Sequence, residues 1–165
     1  MEIKYQDYKT FLEDFYGLIV KLECGRHFDE NHSQHVDWLE RRIRHLLEFG
    51  KAICLYDADA KPVGFIFIEF DPGLSNVRCF GKKAVIKMFG LLPEYRSKNM
   101  GVVLLDECER YLKSEKCECL YVDTYAGNSG AIRYYVNHGF VPVALHPGEN
   151  GIDDSGQVYL YKALR

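Results

Sequence analysis

Apolar residues recur along the chain in two periods, and the switches between them outline the fold. Glu2–Tyr5 reads as a short strand. From Tyr8 to Glu23, Phe11, Leu12, Phe15, Leu18, Ile19 and Leu22 return at three- and four-residue spacing, the stripe of a helix buried on one face. Residues 24–33 are polar and include Gly25, which predicts a loop. Ser33 is suited to cap a second helix reaching Phe49, on the stripe Val36, Leu39, Ile43, Leu46 and Leu47, and Gly50 stops it. The pattern then becomes β-branched and aromatic. Lys51–Asp57 and Pro62–Asp71 are joined by the hairpin-like turn Asp57–Lys61, and Ala84–Leu92 follows a loop with Pro72, Gly73, Ser75 and Asn76. Helical spacing returns from Met100 to Lys116, where Met100, Leu104, Cys108, Tyr111 and Leu112 share a face. A strand Leu120–Tyr125, a short helix Ser129–Asn137 and strands Phe140–Leu145 and Val158–Leu164 complete the order β-α-α-β-β-β-α-β-α-β-β. That alternation predicts a single three-layer α/β domain over residues 1–165, with helices flanking a mixed central β-sheet.

Composition narrows the partners. At 47% hydrophobic, 165 residues are enough for one sizeable core. Basic and acidic residues nearly balance, 21 against 24, which argues against a nucleic-acid partner. Apolar runs such as Phe65–Ile68 are too short to span a bilayer. The first residues carry Glu2, Asp7, Glu13 and Asp14 and lack the apolar region of a signal peptide. The expectation is a cytoplasmic protein without membrane or nucleic-acid partners; homodimerisation is left open. Six cysteines in a chain of this core content read as reduced thiols, with Cys54, Cys108 and Cys119 inside apolar stretches and no Cys-x-x-Cys. His32 and His35 have metal-site spacing but no evident third ligand, so no metal is expected.

Two segments carry chemistry. In Leu91-Leu-Pro-Glu-Tyr-Arg-Ser-Lys-Asn-Met-Gly101, a strand ends at Pro93, a polar loop follows, and a helix starts near Met100. A helix start exposes unpaired N–H groups at the positive end of the dipole, and Arg96 and Lys98 add cations beside it. Gly101 has no Cβ to keep an anion from the backbone. Pyrophosphate suits such a site, although an ordinary solvated loop has the same composition. In the second segment, Leu120 to Phe140, a strand opens into a loop where Asn128 can cap a short helix that Gly139 ends. Tyr134 and Tyr135 cannot both face the core from so short a helix.

Together the two segments resemble the GNAT superfamily of N-acetyltransferases. The family shows Pro-x-Tyr-Arg and a glycine-rich turn opening a helix, then an Asn, an Ala and Phe-Tyr before Gly-Phe. Here stand Pro93, Tyr95, Arg96, Gly101, Asn128, Ala131, Tyr135, Gly139 and Phe140, in that order. Asn99 replaces the first glycine of the turn; Asn is the non-glycine residue that best tolerates a left-handed backbone. The acid that many members carry on the preceding strand is missing, with Lys87 and Met88 where it might stand.

The resemblance implies a domain that binds acetyl-CoA and moves its acetyl group onto a primary amine by direct attack. It implies pyrophosphate over the amides of Ser97, Lys98, Asn99, Met100, Gly101 and Val102, aided by Arg96, with Asn128 and Ala131 also at the cofactor. The pantetheine arm would lie along the strand ending at Leu91, where the Phe89 and Leu91 amides polarise the thioester and Gly90 allows close approach. Tyr135 takes the position of the general acid, which makes Tyr134 the expected core member. Glu69, Asp71 and Asp123, with Tyr125, are the nearest candidates for the proton acceptor, but each reads better as a surface or salt-bridged group than as a base, and a water chain relaying the proton to bulk stands beside them. Arg26, His27, Phe28 and Arg78 fall in the loops expected to shape the acceptor side. A non-catalytic acyl-CoA sensor of the same fold would keep the loop and lose the acid, yet Tyr135 is present. An unrelated nucleotide-binding domain would need a P-loop, and none exists.

Overall fold

The computed structural model describes residues 1–23, 33–70, 81–96, 98–146 and 156–164. Its elements are β1 (Glu2–Gln6), α1 (Tyr8–Glu23), α2 (Ser33–Phe49), β2 (Gly50–Tyr56), β3 (Pro62–Phe70), β4 (Lys83–Leu91), α3 (Met100–Ser114), β5 (Cys119–Tyr125), α4 (Ser129–Asn137), β6 (Val141–His146) and β7 (Gln157–Ala163), with a 3-10 turn at Pro93–Tyr95. This is the order the hydrophobic pattern predicts. Seven strands form one sheet, β1-β2-β3-β4-β5-β7-β6. It is mixed: β4 and β5 run parallel over Lys83–Ile86 and Cys119–Val122, whereas β1–β2, β2–β3, β5–β7 and β6–β7 are antiparallel.

Contacts divide the chain into two compact units. The first comprises Met1–Glu69 and Lys87–Tyr111. Phe11, Phe15, Leu18 and Ile19 of α1 and Leu39, Ile43 and Leu46 of α2 form its core with Cys54, Phe65, Phe67 and Met88. Phe11 lies 4.5 Å from Phe67 and 5.2 Å from Phe65, centroid to centroid. Such aromatic pairs add about 0.5–1.5 kcal/mol each beyond area burial. Ala52–Tyr56 and Val63–Ile68 are buried without a break, so both faces of β2 and β3 are covered. That is why these strands read as continuous apolar runs. A polar tie joins β1 to α3: the Tyr5 hydroxyl donates to buried Glu107 at 2.6 Å, and Arg110 donates to the same carboxylate.

The second unit comprises Phe70–Ile86 and Leu112–Arg165. Here β5 and β7 pair along seven residues, with Val85, Cys119 and Tyr121 buried against Tyr161. Its helix ends are informative. The sequence predicts α3 to Lys116, but the helix stops at Ser114 because Lys116 turns left-handed (φ +59°). Lys116 N–H then donates to Lys113 O at 3.0 Å and Cys117 N–H to Leu112 O at 2.9 Å, the paired bonds of a Schellman cap. Gly139 (φ +85°) closes α4 in the same way, as expected, with bonds from Gly139 N–H to Val136 O and Phe140 N–H to Tyr135 O.

Cys54, Cys108 and Cys117 are buried thiols, but Cys119 is joined in a disulfide, which corrects the expectation of six reduced cysteines. Among the described residues no helix is long and apolar enough to cross a membrane, and no group of side chains is arranged to hold a metal.

Candidate functional site

In the first unit β4 ends at Leu91, and Leu92 N–H donates to Val63 O at 2.9 Å. Pro93 sets the 3-10 turn, whose bonds run from Tyr95 N–H to Leu92 O (3.0 Å) and Arg96 N–H to Pro93 O (3.1 Å). Asn99 then adopts φ +61° and α3 begins. The left-handed turn therefore survives without glycine, on the one side chain the sequence singles out as able to take it. The first helical bond is Val103 N–H to Asn99 O, 3.1 Å. Met100, Gly101 and Val102 consequently have no acceptor within the helix for their N–H groups, which lie at the positive end of the helix dipole, an arrangement that favours anions in general. Gly101 is buried, Met100 and Val102 half-buried, and Lys98 and Asn99 exposed.

Arg96 is exposed, and its Nε donates to Leu91 O at 3.3 Å. Lys98 Nζ lies 5.5 Å from the centre of the Tyr95 ring. Ser97 is outside the described residues. Phe89 and Leu91 are half-buried and Gly90 is buried; all three lie beyond Ile86, the last β4 residue in the β5 ladder.

The sequence misses what Tyr95 does. Its hydroxyl donates to Asp57 Oδ2 at 2.6 Å, across 38 positions, while Asp57 Oδ1 accepts the N–H groups of Asp59 (3.0 Å) and Lys61 (2.9 Å). The bond to Asp57 raises the Tyr95 phenol to about 12. The Asp57 carboxyl is held below its ordinary range, chiefly by Tyr95 and then by the Lys61 N–H. No local pattern signals this pair.

The second unit brings together the other predicted residues. Asn128 caps α4: its Oδ1 accepts from Ala131 N–H at 3.2 Å, and its amide donates to Thr124 Oγ1 at 3.3 Å. Tyr135 proves to be the buried member of the tyrosine pair, 6% exposed, with its ring 5.3 Å from Phe140; Tyr134 is half-buried and 4.3 Å from the His138 ring. This reverses the expected assignment of the core tyrosine. The physical reason is the tight turn at Gly139, which brings Phe140 back onto Tyr135.

Of the carboxylates, Glu69 is half-buried, with Lys87 Nζ at 3.5 Å and the His45 ring nitrogen Nε2 at 3.8 Å. It is a salt-bridged group, and Lys87, standing near the position of the absent acid, is its partner. Asp123 is half-buried on β5 and Tyr125 exposed at its end. Asp71, Arg26, His27, Phe28, His32, Arg78 and the side chains of Ser33 and His35 lie outside the described residues.

The profile of the acetyltransferase (GNAT) family matches residues 11–140. An N-alpha-acetyltransferase of Sulfurisphaera tokodaii is 29% identical over 117 residues, covering 67% of this chain and 70% of the relative. The crystal structure of the ribosomal-protein-S18-alanine N-acetyltransferase from Escherichia coli superposes with a TM-score of 0.72 at 16% identity, covering 99% of this chain and 93% of that one. An aminoglycoside 6'-N-acetyltransferase complexed with coenzyme A does so at 0.72 and 14% identity, covering 100% and 98%. The two structures share the fold, and with a family profile that spans most of its length, this chain belongs to the acetyltransferase (GNAT) family.

Proposed function

We propose that the protein transfers the acetyl group of acetyl-CoA to a primary amine by direct attack in a ternary complex. The observation that carries this reading is the left-handed Asn99, after which α3 starts with the N–H groups of Met100, Gly101 and Val102 ahead of its first hydrogen bond, from Val103 N–H to Asn99 O. Arg96 and Lys98 supply the charge for a pyrophosphate there. The solved relative that holds coenzyme A supports acetyl-CoA as co-substrate. The relative named as an N-alpha-acetyltransferase favours an α-amino group as acceptor.

In this reading the amine nitrogen attacks the thioester carbonyl, and the Phe89 and Leu91 amides stabilise the oxyanion. The C–N bond forms, the C–S bond breaks, and the departing thiolate takes a proton from the phenolic O–H of Tyr135. The attacking amine gives its proton to water rather than to a dedicated carboxylate, since Glu69 is committed to Lys87, and solvent returns a proton to the Tyr135 phenolate to complete the cycle.

The test is a calorimetric titration of coenzyme A into wild type and Gly101→Asp. A carboxylate at the helix start opposes both the dipole and the phosphates, so the variant should bind at least about a hundredfold more weakly. Equal binding by the two proteins would contradict the location of the site.

A further inference from the structure

The 3-10 turn that leads into α3 buries none of its residues and has no side-chain cap at its start. Leu92 ahead of it packs on the core, but the far end of the turn, from which the chain enters α3, has no buried side chain to fix it. Tyr95, at its end, reaches out of the turn to Asp57, at the mouth of the β2–β3 hairpin.

Asp57 is itself held in place. Its N–H donates to Lys61 O at 3.0 Å, Ala60 closes the hairpin at φ +59°, and Oδ1 takes the Asp59 and Lys61 N–H groups. One carboxylate is thus divided: one oxygen closes its own turn and the other holds Tyr95. It cannot rotate away without losing both sets of bonds.

We infer that Asp57 is a positioning residue for the cofactor: through Tyr95 it sets where the start of α3 presents its N–H groups. The inference rests on the reading of residues 96–101 as the pyrophosphate site. Two further facts agree with it. The raised Tyr95 phenol and the lowered Asp57 carboxyl both favour a neutral donor on an ionised acceptor. By sign, this contribution is complete between the ordinary carboxylate and phenol ranges; it is lost in acid as Asp57 protonates and in base as pH climbs from about 10 towards 12. The bond is therefore intact at every pH at which the enzyme would work.

The experiment compares wild type, Tyr95→Phe, Asp57→Asn and the double variant by coenzyme A calorimetry and by steady-state kinetics. Tyr95→Phe keeps the ring beneath Lys98 and removes only the hydroxyl. Asp57→Asn keeps an oxygen for the hairpin N–H groups and turns an amide N–H to the Tyr95 hydroxyl, so the charged bond from Tyr95 is replaced by a weaker neutral one in the opposite direction. Each single variant should raise the Kd for coenzyme A and the KM for acetyl-CoA about three- to tenfold, with kcat and acceptor KM within about twofold. The double variant should lose less than the two single effects combined, because both changes act on the same bond. A merely structural role would instead lower kcat through the active fraction and leave KM alone, and that result, effects that add, or unchanged coenzyme A binding in Tyr95→Phe would each overturn the inference. Wild type that binds no coenzyme A would overturn the cofactor site, and this role with it.

Discussion

Gly64, on β3, is the position where the smallest chemical change should reach the reaction centre. A Cβ built there would lie 2.9 Å from Gly90 O, 2.5 Å from Leu91 Cδ2 and 3.2 Å from Leu104 Cδ1. The two leucine methyls can turn aside, but the carbonyl belongs to the backbone of β4. Ordinary contact begins near 3.4 Å, so Gly90 O must retreat by about 0.5 Å. Overpacking of this kind costs about 1–3 kcal/mol, which for a chain of this size lowers Tm by about 2–12 °C. The functional consequence follows from the rigid peptide plane: Gly90 C=O and Leu91 N–H move together. The amide proposed to polarise the thioester is then misplaced, and a displacement of half an ångström should reduce kcat about tenfold. Urea unfolding gives the first number, and steady-state acetylation well below the variant's Tm gives the second. A Gly64→Ala protein with wild-type Tm and wild-type kcat would refute both the tight approach and the role of the β4 end.

Tyr135→Phe keeps the ring against Phe140 and removes the proton donor, so kcat should fall by about one to three decades while coenzyme A binding stays unchanged; a lowered Tm with unchanged kcat would make Tyr135 a core residue only. With no dedicated base, kcat/KM should rise with pH along the ionisation of whichever amine is used, and two amines of different pKa should give two different profiles. The same apparent pKa for both would mean that a group on the enzyme titrates.

The element order was readable because the units bury apolar residues in two clean periods, and because β2 and β3, covered on both faces, appear as unbroken runs. Asn99 was readable for a local reason: few side chains accept φ +61°, and the resemblance says where such a turn belongs. Lys116 was not, since lysine carries no preference for the left-handed conformation that ends α3. Tyr134 and Tyr135 stand side by side on one turn, and only the return of the chain at Gly139 decides which of them Phe140 covers. Tyr95 and Asp57 are 38 positions apart, and neither residue type announces a partner at that range. Cys119, like Cys54 and Cys108, lies in an apolar stretch that reads as a reduced thiol, yet it is joined in a disulfide.

The central claim is acetyl transfer to an amine, and the most direct measurement is release of free thiol from acetyl-CoA, with mass detection of the acceptor. The panel should contain peptides with free α-amino groups, peptides with the α-amine blocked and lysine free, and small polyamines. The account predicts thiol release that requires an amine, a gain of one acetyl group on the acceptor in equal amount, and preference for the free α-amine. Tight binding of coenzyme A with no acetylated product from any member of the panel would contradict it, and would identify the chain as an acyl-CoA-binding member of its family that does not turn over.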